Sequence, residues 1–375
     1  MIYFDNSATT AIYPEALESY VQASKRFMGN PSSLHQLGVE AHQLLSNARK
    51  QVAELLGADS SEVYFTSGGT ESNNWAIKGT AFEKKPFGNH ILVSSIEHPS
   101  VLQTVKQLEA LGFDVETINV NKQGVVDVSD LKRKLRPDTI LVSVMAVNNE
   151  VGSIQPIEEI SQVLVDCPWV HFHVDAVQGV HLTRTIVQNE RVDLVSLSAH
   201  KFHGPRGVGI LYKKHGRTLQ SLLAGGGQEQ NERSSTENVP GIVATAKALR
   251  MTLQAGDKEE QLLRERVWEY LEKEENIRLF STTDGASHII CFALKGVRGE
   301  VLVHALEEKG IYMSTTSACS SKKGTNSGTL LAMQVPTEWA TSAVRISFSH
   351  TNTLAEVDEF IQVMTALKQK FSLFY

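Results

Sequence analysis

The sequence has few cysteines and no long hydrophobic run. Its three cysteines have no CxxC spacing, which indicates no disulfide framework and favours a reducing cytoplasm. The longest apolar stretches, such as residues 140–147, are far too short to span a membrane. The opening segment, MIYFDNSATT, lacks the basic and apolar parts of a signal peptide. We therefore expect a cytoplasmic protein with no membrane partner.

An excess of basic charge is also missing. The 36 Lys and Arg residues are outnumbered by 42 Asp and Glu residues, which argues against direct nucleic-acid binding. The sequence contains no Walker loop, and it contains no GxGxxG motif after a strand, which argues against a nicotinamide dehydrogenase. A chain of 375 residues is nevertheless long enough for one large and one smaller domain.

What is present is a regular alternation of short apolar runs and helical patterns. It predicts an α/β fold with a mostly parallel sheet covered by helices on both faces. The part that follows has an α+β pattern and contains a long polar segment at residues 317–340. We predict a large domain over residues 16–257, and a small domain over residues 1–15 and 258–375. The predicted strands of the large domain span residues 62–66, 91–96, 115–120, 140–147, 170–174, 192–197 and 208–212.

Lys201 directly follows the buried strand at 192–197, within the segment SLSAHKFHGPRGVG. Open α/β sheets bind ligands at the carboxyl ends of their strands. Desolvation there lowers the pKa of a lysine, and a neutral amine can form a Schiff base with an aldehyde. Taken by itself, however, this segment is better explained by a lysine whose side chain merely reaches solvent than by a lysine that forms a Schiff base.

Other strand ends offer the remaining parts of a site for a flat, phosphorylated cofactor. Asp175 could pair with a protonated pyridine nitrogen, and His98 could stack on the ring or move protons. Thr70, after the glycines of SGGTES, could hold a phosphate together with Ser198 and His200. Each residue also has an ordinary structural interpretation, since Asp175 could cap a helix and His98 could be a buried spacer. Their joint position at strand ends favours the site.

A metal site is the competing interpretation of the histidines. His171, His173 and Asp175 alternate along one strand, and His200 and His203 follow later. Because helices should cover both faces of that strand, we do not predict a metal.

Of the cysteines, Cys291 lies in an apolar strand and Cys167 lies in a turn, and neither position suggests chemistry. Cys319 lies among small and polar residues beside Lys322 and Lys323, whose charge would lower the thiol pKa. A nucleophile and a passive surface thiol fit this composition equally well.

The chain resembles the cysteine desulfurases, in the class V group of fold-type I pyridoxal-phosphate enzymes. The resemblance covers essentially the whole sequence. It runs through the segments YFDNSATT, GNPSSLH, FTSGGTESNN, EHPSV, ILVSVMAVNNEVG, HVDAVQ, SAHKFHGPRGVG, ERSSTENVP, SACSS and VRISF. Small departures are SGG for the commoner SGA, SAH for SGH, and Ser349 where glycine is frequent.

The resemblance implies a large domain with a mostly parallel seven-stranded sheet, a smaller α+β domain, and pyridoxal 5′-phosphate held by Lys201. It also implies that Cys319 attacks the sulfur of L-cysteine, that alanine is released, and that a persulfide passes to an acceptor protein. The implied catalytic residues are Lys201, Cys319 and His98, and Arg345 and Asn149 would hold the substrate carboxylate. The implied cofactor contacts are Gly69, Thr70, Glu71, His98, Asn149, Asp175, Gln178, Ser198, His200 and Thr236, the last supplied by the neighbouring subunit of a homodimer.

Two rival functions remain at this point. Another class V enzyme, such as an aminotransferase or a selenocysteine lyase, could use the same lysine, aspartate and arginine. A non-catalytic scaffold that presents a sulfur carrier is disfavoured by the complete set of cofactor residues. The acceptor, which could be an iron-sulfur scaffold or a sulfurtransferase that thiolates tRNA, is not encoded in any motif.

Overall fold

A computed structural model describes residues 1–316 and 327–372 of the chain. The first strand, β1 (Ile2–Tyr3), lies outside the main sheet, which has seven strands in the described residues. In chain order these are β2 (Val63–Thr66), β3 (His90–Ser94), β4 (Asp114–Ile118), β5 (Thr139–Met145), β6 (His171–Asp175), β7 (Leu194–Ser198) and β8 (Gly209–Lys213). Their order across the sheet is β2-β8-β7-β6-β5-β3-β4, and β8 alone runs against the others.

The predicted mostly parallel α/β sheet is confirmed. Every residue of β5, β6 and β7 is buried, as expected for strands with helices on both faces. Because β3, β5, β6 and β7 are parallel, their carboxyl ends meet at one edge of the sheet.

Helices follow most strands of the main sheet. Residues 180–188, between β6 and β7, carry a short helical segment that the sequence did not predict. The helix that follows the last strand of the main sheet begins at Val239, because the Asn238 side chain accepts a hydrogen bond from Gly241 N at 3.1 Å and Pro240 occupies its first turn. The helices are α1 (Pro14–Arg26), α2 (Gln36–Leu56), α3 (Gly69–Asn74), a π-helical turn (Trp75–Gly79), α4 (Thr80–Lys84), α5 (Pro99–Glu109), α6 (Val128–Lys134), α7 (Ile157–Leu164), α8 (Thr183–Gln188) and α9 (Val239–Ala255).

A smaller antiparallel sheet follows α9. Its strands are β9 (Ile277–Leu279), β10 (Ile289–Leu294), β12 (Ser314–Thr315) and β13 (Ala343–Ser347), in the order β12-β13-β10-β9. The helices here are α10 (Lys258–Glu272), α11 (Gly299–Glu307) and α14 (Leu354–Ser372), and β1 pairs in parallel with β11 (Ile311–Tyr312). Ile2 and Phe4 join the hydrophobic cluster of this part, so we retain residues 1–15 and 258–375 as a proposed small domain.

The composition of the polar segment at residues 317–340, which includes Cys319, predicts one long loop, but the second half of this segment is largely helical. Two short helices, α12 (Gly328–Ala332) and α13 (Thr337–Ala340), lie there. Ser327 caps α12 by accepting a hydrogen bond from Leu330 N at 3.0 Å, and Leu330 and Met333 are buried beside Val151. None of the helices in the described part of the chain is both long and apolar enough to cross a membrane.

Candidate active site

A cavity of about 790 Å³ lies at the edge of the main sheet where the parallel strands end. Residues from the turns after β2, β3, β6 and β7 line it, and β13 contributes Arg345. Thr236 is not among the lining residues, and Cys319 lies outside the described residues. The predicted site residues that line the cavity are Gly69, Thr70, Glu71, His98, Asn149, Asp175, Gln178, Ser198, His200, Lys201 and Arg345.

Lys201 ends a single 3-10 turn, Ala199–Lys201, that directly follows β7. Its Nζ donates hydrogen bonds to the carbonyl oxygens of Ser7 and, at 2.9 Å, Ala8. Gly204 lets the chain fold back tightly, since a Cβ there would lie 2.9 Å from the Cβ of Ala199. The local sequence therefore presents a primary amine to the cavity, as formation of a bond with an aldehyde requires.

Asp175 is the last residue of β6 and is 3% exposed. Its Oδ2 accepts a hydrogen bond from Asn73 Nδ2 at 2.7 Å, and its Oδ1 accepts one from Val177 N at 3.0 Å. The arrangement suits a carboxylate that pairs with a protonated ring nitrogen.

His98 caps the amino end of α5. Its Nδ1 accepts a hydrogen bond from Ser100 N at 3.1 Å and lies 2.8 Å from Ser100 Oγ. Burial lowers the pKa of His98 and outweighs the opposing charge of Asp175, while the charge of Lys201 lowers the pKa further. The ring is therefore neutral at neutral pH.

Small and polar residues form the end of the cavity near Ser198. A Cβ at Gly69 would lie 2.8 Å from the Cγ2 of Val177 and 3.2 Å from the Cβ of Ser198, so a larger residue there would force these side chains to shift. His200 Nδ1 lies 3.2 Å from Thr9 Oγ1, and burial lowers the pKa of His200 to about 4. Arg206 also lines the cavity and adds positive charge that the sequence analysis did not anticipate. These groups suit a phosphate.

Arg345 also lines the cavity. Its Nη1 donates to the carbonyl oxygen of Asn149 at 2.7 Å, and its Nη2 donates to Asp5 Oδ1 at 2.9 Å. Each terminal nitrogen carries two hydrogens, so one on each remains for a ligand. A guanidinium held in this way suits bidentate binding of a carboxylate.

Glu71 lines the cavity, but its carboxylate is held by other protein groups. It accepts hydrogen bonds from Arg233 at 2.7 and 2.9 Å and from Ser67 N at 2.7 Å. This ion pair ties the loop at residues 225–238 to α3. That Glu71 contacts the cofactor therefore remains a prediction.

Thr236 lies on an exposed part of the same loop, away from the cavity of its own chain. The loop contains three consecutive left-handed residues, Glu229–Asn231, with φ of 44°, 60° and 68°. Such a run costs conformational energy, and a bidentate ion pair between Glu229 and Arg49 at 2.7 Å stabilises it. The loop is thus fixed to the rest of the chain by this ion pair, while Thr236 is exposed.

The segment from Ser7 to Thr9 contributes contacts that no motif indicated. The carbonyl oxygen of Ser7 accepts hydrogen bonds from Lys201 Nζ and, at 3.0 Å, from Gln178 Nε2. Thr9 reaches His200. No local signal could have revealed these contacts, because they join residues more than 170 positions apart.

A second missed residue is Glu97, which is 4% exposed and lines the cavity. Its Oε1 accepts from Met145 N at 2.8 Å and from Ser94 Oγ, whereas its Oε2 is buried with no hydrogen-bond partner in the described residues. Burial raises the pKa of Glu97 to about 8. The available signal was a carboxyl group directly before His98 at a strand end.

The histidines of β6 have hydroxyl partners. His173 Nδ1 lies 2.8 Å from Ser143 Oγ, and its Nε2 lies 2.9 Å from Ser196 Oγ. His171 Nδ1 lies 3.1 Å from Thr80 Oγ1. Burial lowers the pKa of His173 to about 3, so it is a neutral core residue. Residues 1–316 and 327–372 contain no group of three His, Cys, Asp or Glu side chains placed to share a metal.

Comparison with known proteins places this geometry in a family. The model of the aminotransferase class-V family matches residues 2–360. The chain is 56% identical to a NifS/IcsS protein homolog of Lactobacillus delbrueckii subsp. bulgaricus, over 99% of this chain and 98% of that protein. It is 41% identical to the cysteine desulfurase IscS of Methanosarcina thermophila, over 98% of this chain and 92% of that one.

Solved structures agree with the sequence relatives. A NifS-like protein superimposes with a TM-score of 0.92 at 37% identity and covers 99% of both chains. A structure titled SspA in complex with cysteine superimposes with a TM-score of 0.82 at 31% identity, over 94% of this chain and all of that one. Both likenesses cover the main sheet and the smaller sheet together, because the aligned regions span nearly the whole chain.

Proposed function

The chain belongs to the aminotransferase class-V family and is a cysteine desulfurase dependent on pyridoxal 5′-phosphate, and from this premise we propose how its residues divide the reaction. L-Cysteine is converted to L-alanine, and the sulfur remains as a persulfide on Cys319. The observation that carries the proposal is the convergence of Lys201, Asp175, His98 and Arg345 on one cavity.

The residues of the cavity fit the cofactor. Pyridoxal phosphate supplies an aldehyde and a cationic ring that withdraws electrons from the substrate. Lys201 would hold the aldehyde, and its amine would move a proton to and from the substrate Cα. Asp175 would pair with the ring nitrogen and keep it protonated, and the two donors on its carboxylate support that role. His98 would stack on the ring, and Gln178 would contact the phenolic oxygen.

The phosphate would be held by Gly69, Thr70, Ser198 and His200. Thr236 of the neighbouring subunit would complete this site, and the enzyme would then work as a homodimer. The exposure of Thr236, on a loop whose backbone is anchored by ion pairs, supports a contact made across subunits.

Cys319 is the nucleophile. Its thiolate attacks the sulfur of the bound cysteine, and an S–S bond forms as the C–S bond breaks. The electrons of the broken bond stay on the substrate carbon, which takes up a proton and becomes the methyl group of alanine. A sulfur-acceptor protein then removes the outer sulfur, either an iron-sulfur scaffold or a tRNA-thiolating sulfurtransferase. The absence of CxxC spacing supports a reducing cytoplasm as the place of work.

The test is a single turnover of cofactor-loaded protein with L-cysteine. We expect one alanine for each persulfide, and we expect mass spectrometry of the digest to place the extra sulfur on the peptide that contains Cys319. The peptides of Cys167 and Cys291 serve as internal controls and should remain thiols. Formation of a keto acid in place of alanine would instead identify an aminotransferase.

Arg345→Gln is expected to raise the KM for L-cysteine roughly 10- to 100-fold, with a smaller change in kcat. A charge-assisted bidentate contact contributes about 1.5–3 kcal/mol, and the carboxylate is bound alike before and during the chemical step. Steady-state kinetics measure the effect. Arg345→Lys keeps the charge but loses the planar fork, so its KM should lie between those of the wild type and Arg345→Gln.

Arg266→Gln is the matched control, because Arg266 forms an exposed ion pair with Asp358 at 3.0 Å. It should leave KM unchanged. A normal KM in Arg345→Gln would show that another group binds the carboxylate. Arg345→Gln also removes the ion pair with Asp5. Thermal melting of the variant shows whether this loss destabilises the fold, separately from any effect on substrate binding.

A further inference from the structure

Asn73 connects the two residues that are proposed to hold the cofactor ring. It lies in α3, is 1% exposed, and uses one amide nitrogen for two hydrogen bonds. Its Nδ2 donates to Asp175 Oδ2 at 2.7 Å and to Ser100 Oγ at 2.8 Å. Ser100 in turn lies 2.8 Å from His98 Nδ1. A continuous chain of hydrogen bonds therefore runs from Asp175 to His98.

The direction of each bond in this chain is fixed by chemistry. A backbone N–H can only donate, so the Nδ1 that faces Ser100 N carries a lone pair and not a hydrogen. Ser100 Oγ accepts from Asn73, and its own hydrogen is free to donate to the same Nδ1. The single hydrogen of a neutral His98 is then on Nε2.

The orientation of Asn73 follows from Asp175. A carboxylate accepts hydrogen bonds, so the NH₂ group of the amide must face it. As a result Asn73 Oδ1 is buried with no hydrogen-bond partner in the described part of the chain. Leaving a buried oxygen unpaired is unfavourable, so the contacts to Asp175 and Ser100 determine this orientation.

We propose that Asn73 and Ser100 are positioning residues that hold His98 as the neutral imidazole with its hydrogen on Nε2. This inference rests on the cofactor site proposed above and names two residues to which no role has been given. A neutral ring can lie against a cationic cofactor without repulsion, whereas a protonated one cannot. Because Nδ1 is occupied, His98 can donate a proton from Nε2 but cannot accept one at Nδ1, and removal of the Cα proton is left to Lys201.

The surroundings of His98 also favour its neutral form. Burial lowers its pKa more than the charge of Asp175 raises it, and Lys201 lowers it further. Glu97, the preceding residue, also lines the cavity, and burial favours its uncharged form. The Ser100 hydroxyl adds a donor to Nδ1 that stabilises the unprotonated ring nitrogen.

The test is nitrogen NMR of the cofactor-loaded enzyme with ¹⁵N-labelled histidine, and His98→Gln assigns the signals. In the wild type at neutral pH we expect an unprotonated Nδ1 and a protonated Nε2. Ser100→Ala should raise the pKa of His98 by roughly one unit, the size expected for loss of one hydrogen bond. Asn73→Ala should raise it as well, and Ser100→Thr, which keeps the hydroxyl, should restore the wild-type value.

Ser161→Ala is the matched control, because Ser161 Oγ is also buried but has no hydrogen-bond partner in the described chain. It should leave the His98 signals unchanged. A hydrogen on Nδ1 of His98 in the wild type would overturn the proposal. This measurement does not depend on any variant that might fold poorly. The same His98 pKa in Ser100→Ala and Ser161→Ala would also overturn the proposal. These signals do not depend on sulfur transfer, so failure of the desulfurase reaction would be seen separately.

Discussion

Lys201→Ala is expected to lower desulfurase turnover by about a thousandfold or more. The variant loses both the covalent link to the cofactor and the group that moves the Cα proton, and loss of such proton transfer alone costs about 10²- to 10⁴-fold. The bound cofactor should lose the visible band of the lysine-linked form. Absorbance spectra and steady-state rates measure the two effects.

Reduction with borohydride gives a direct check of the same prediction. In the wild type it should fix the cofactor to the peptide that contains Lys201, and in Lys201→Ala no peptide should carry it. Lys50→Ala is the control, because Lys50 is an exposed lysine whose side chain is 72% accessible. Labelling of another lysine in the wild type would contradict the assignment. Lys201→Ala also removes the hydrogen bonds from Lys201 to the carbonyl oxygens of Ser7 and Ala8. Thermal melting should therefore be used to check that the variant keeps its fold.

Cys319→Ala is expected to abolish persulfide formation and to reduce alanine release at least about a thousandfold, since removal of an attacking nucleophile has effects of this size or larger. The cofactor band and the binding of L-cysteine should remain, because neither is proposed to need this thiol. Persulfide trapping, alanine measurement and absorbance spectra report the three properties. Sulfur release at the wild-type rate would favour another class V enzyme.

The other two cysteines provide the controls and cannot replace Cys319. Cys291 is completely buried in β10, and burial raises its pKa well above the ordinary value, so it is a thiol and not a thiolate. Burial also raises the pKa of Cys167. Cys167→Ala and Cys291→Ala should both keep sulfur transfer. The second removes buried volume and should be assayed below its own melting temperature.

The strand ends could be predicted from the sequence because their signals are local. Apolar runs such as residues 192–197 end on polar residues, and this places Lys201 and Asp175 at one edge of a parallel sheet without knowledge of any distant contact. The family resemblance then added Arg345, whose own segment carries no local sign of a substrate site.

The rest depends on contacts between distant parts of the chain. Asn73 has an ordinary helical context, and its hydrogen bond to Asp175 joins residues 102 positions apart in the chain. The two helices within residues 328–340 form because Leu330 and Met333 find buried partners in another part of the fold. Tertiary packing decided these features, and a local pattern contains no record of it.

The ties of the first residues to the far end of the chain affect how the enzyme is made. Asp5 holds Arg345 across a separation of 340 residues, and β1 pairs with β11. A nascent chain that leaves the ribosome therefore keeps β1 without its partner strand until residue 312 has been synthesised, and Asp5 without Arg345 until residue 345 has been synthesised. Contacts at such separations close late and slowly. The main sheet and the proposed cofactor contacts are synthesised long before then, so we expect the proposed site for the substrate carboxylate at Arg345 to be completed among the last events of biosynthesis.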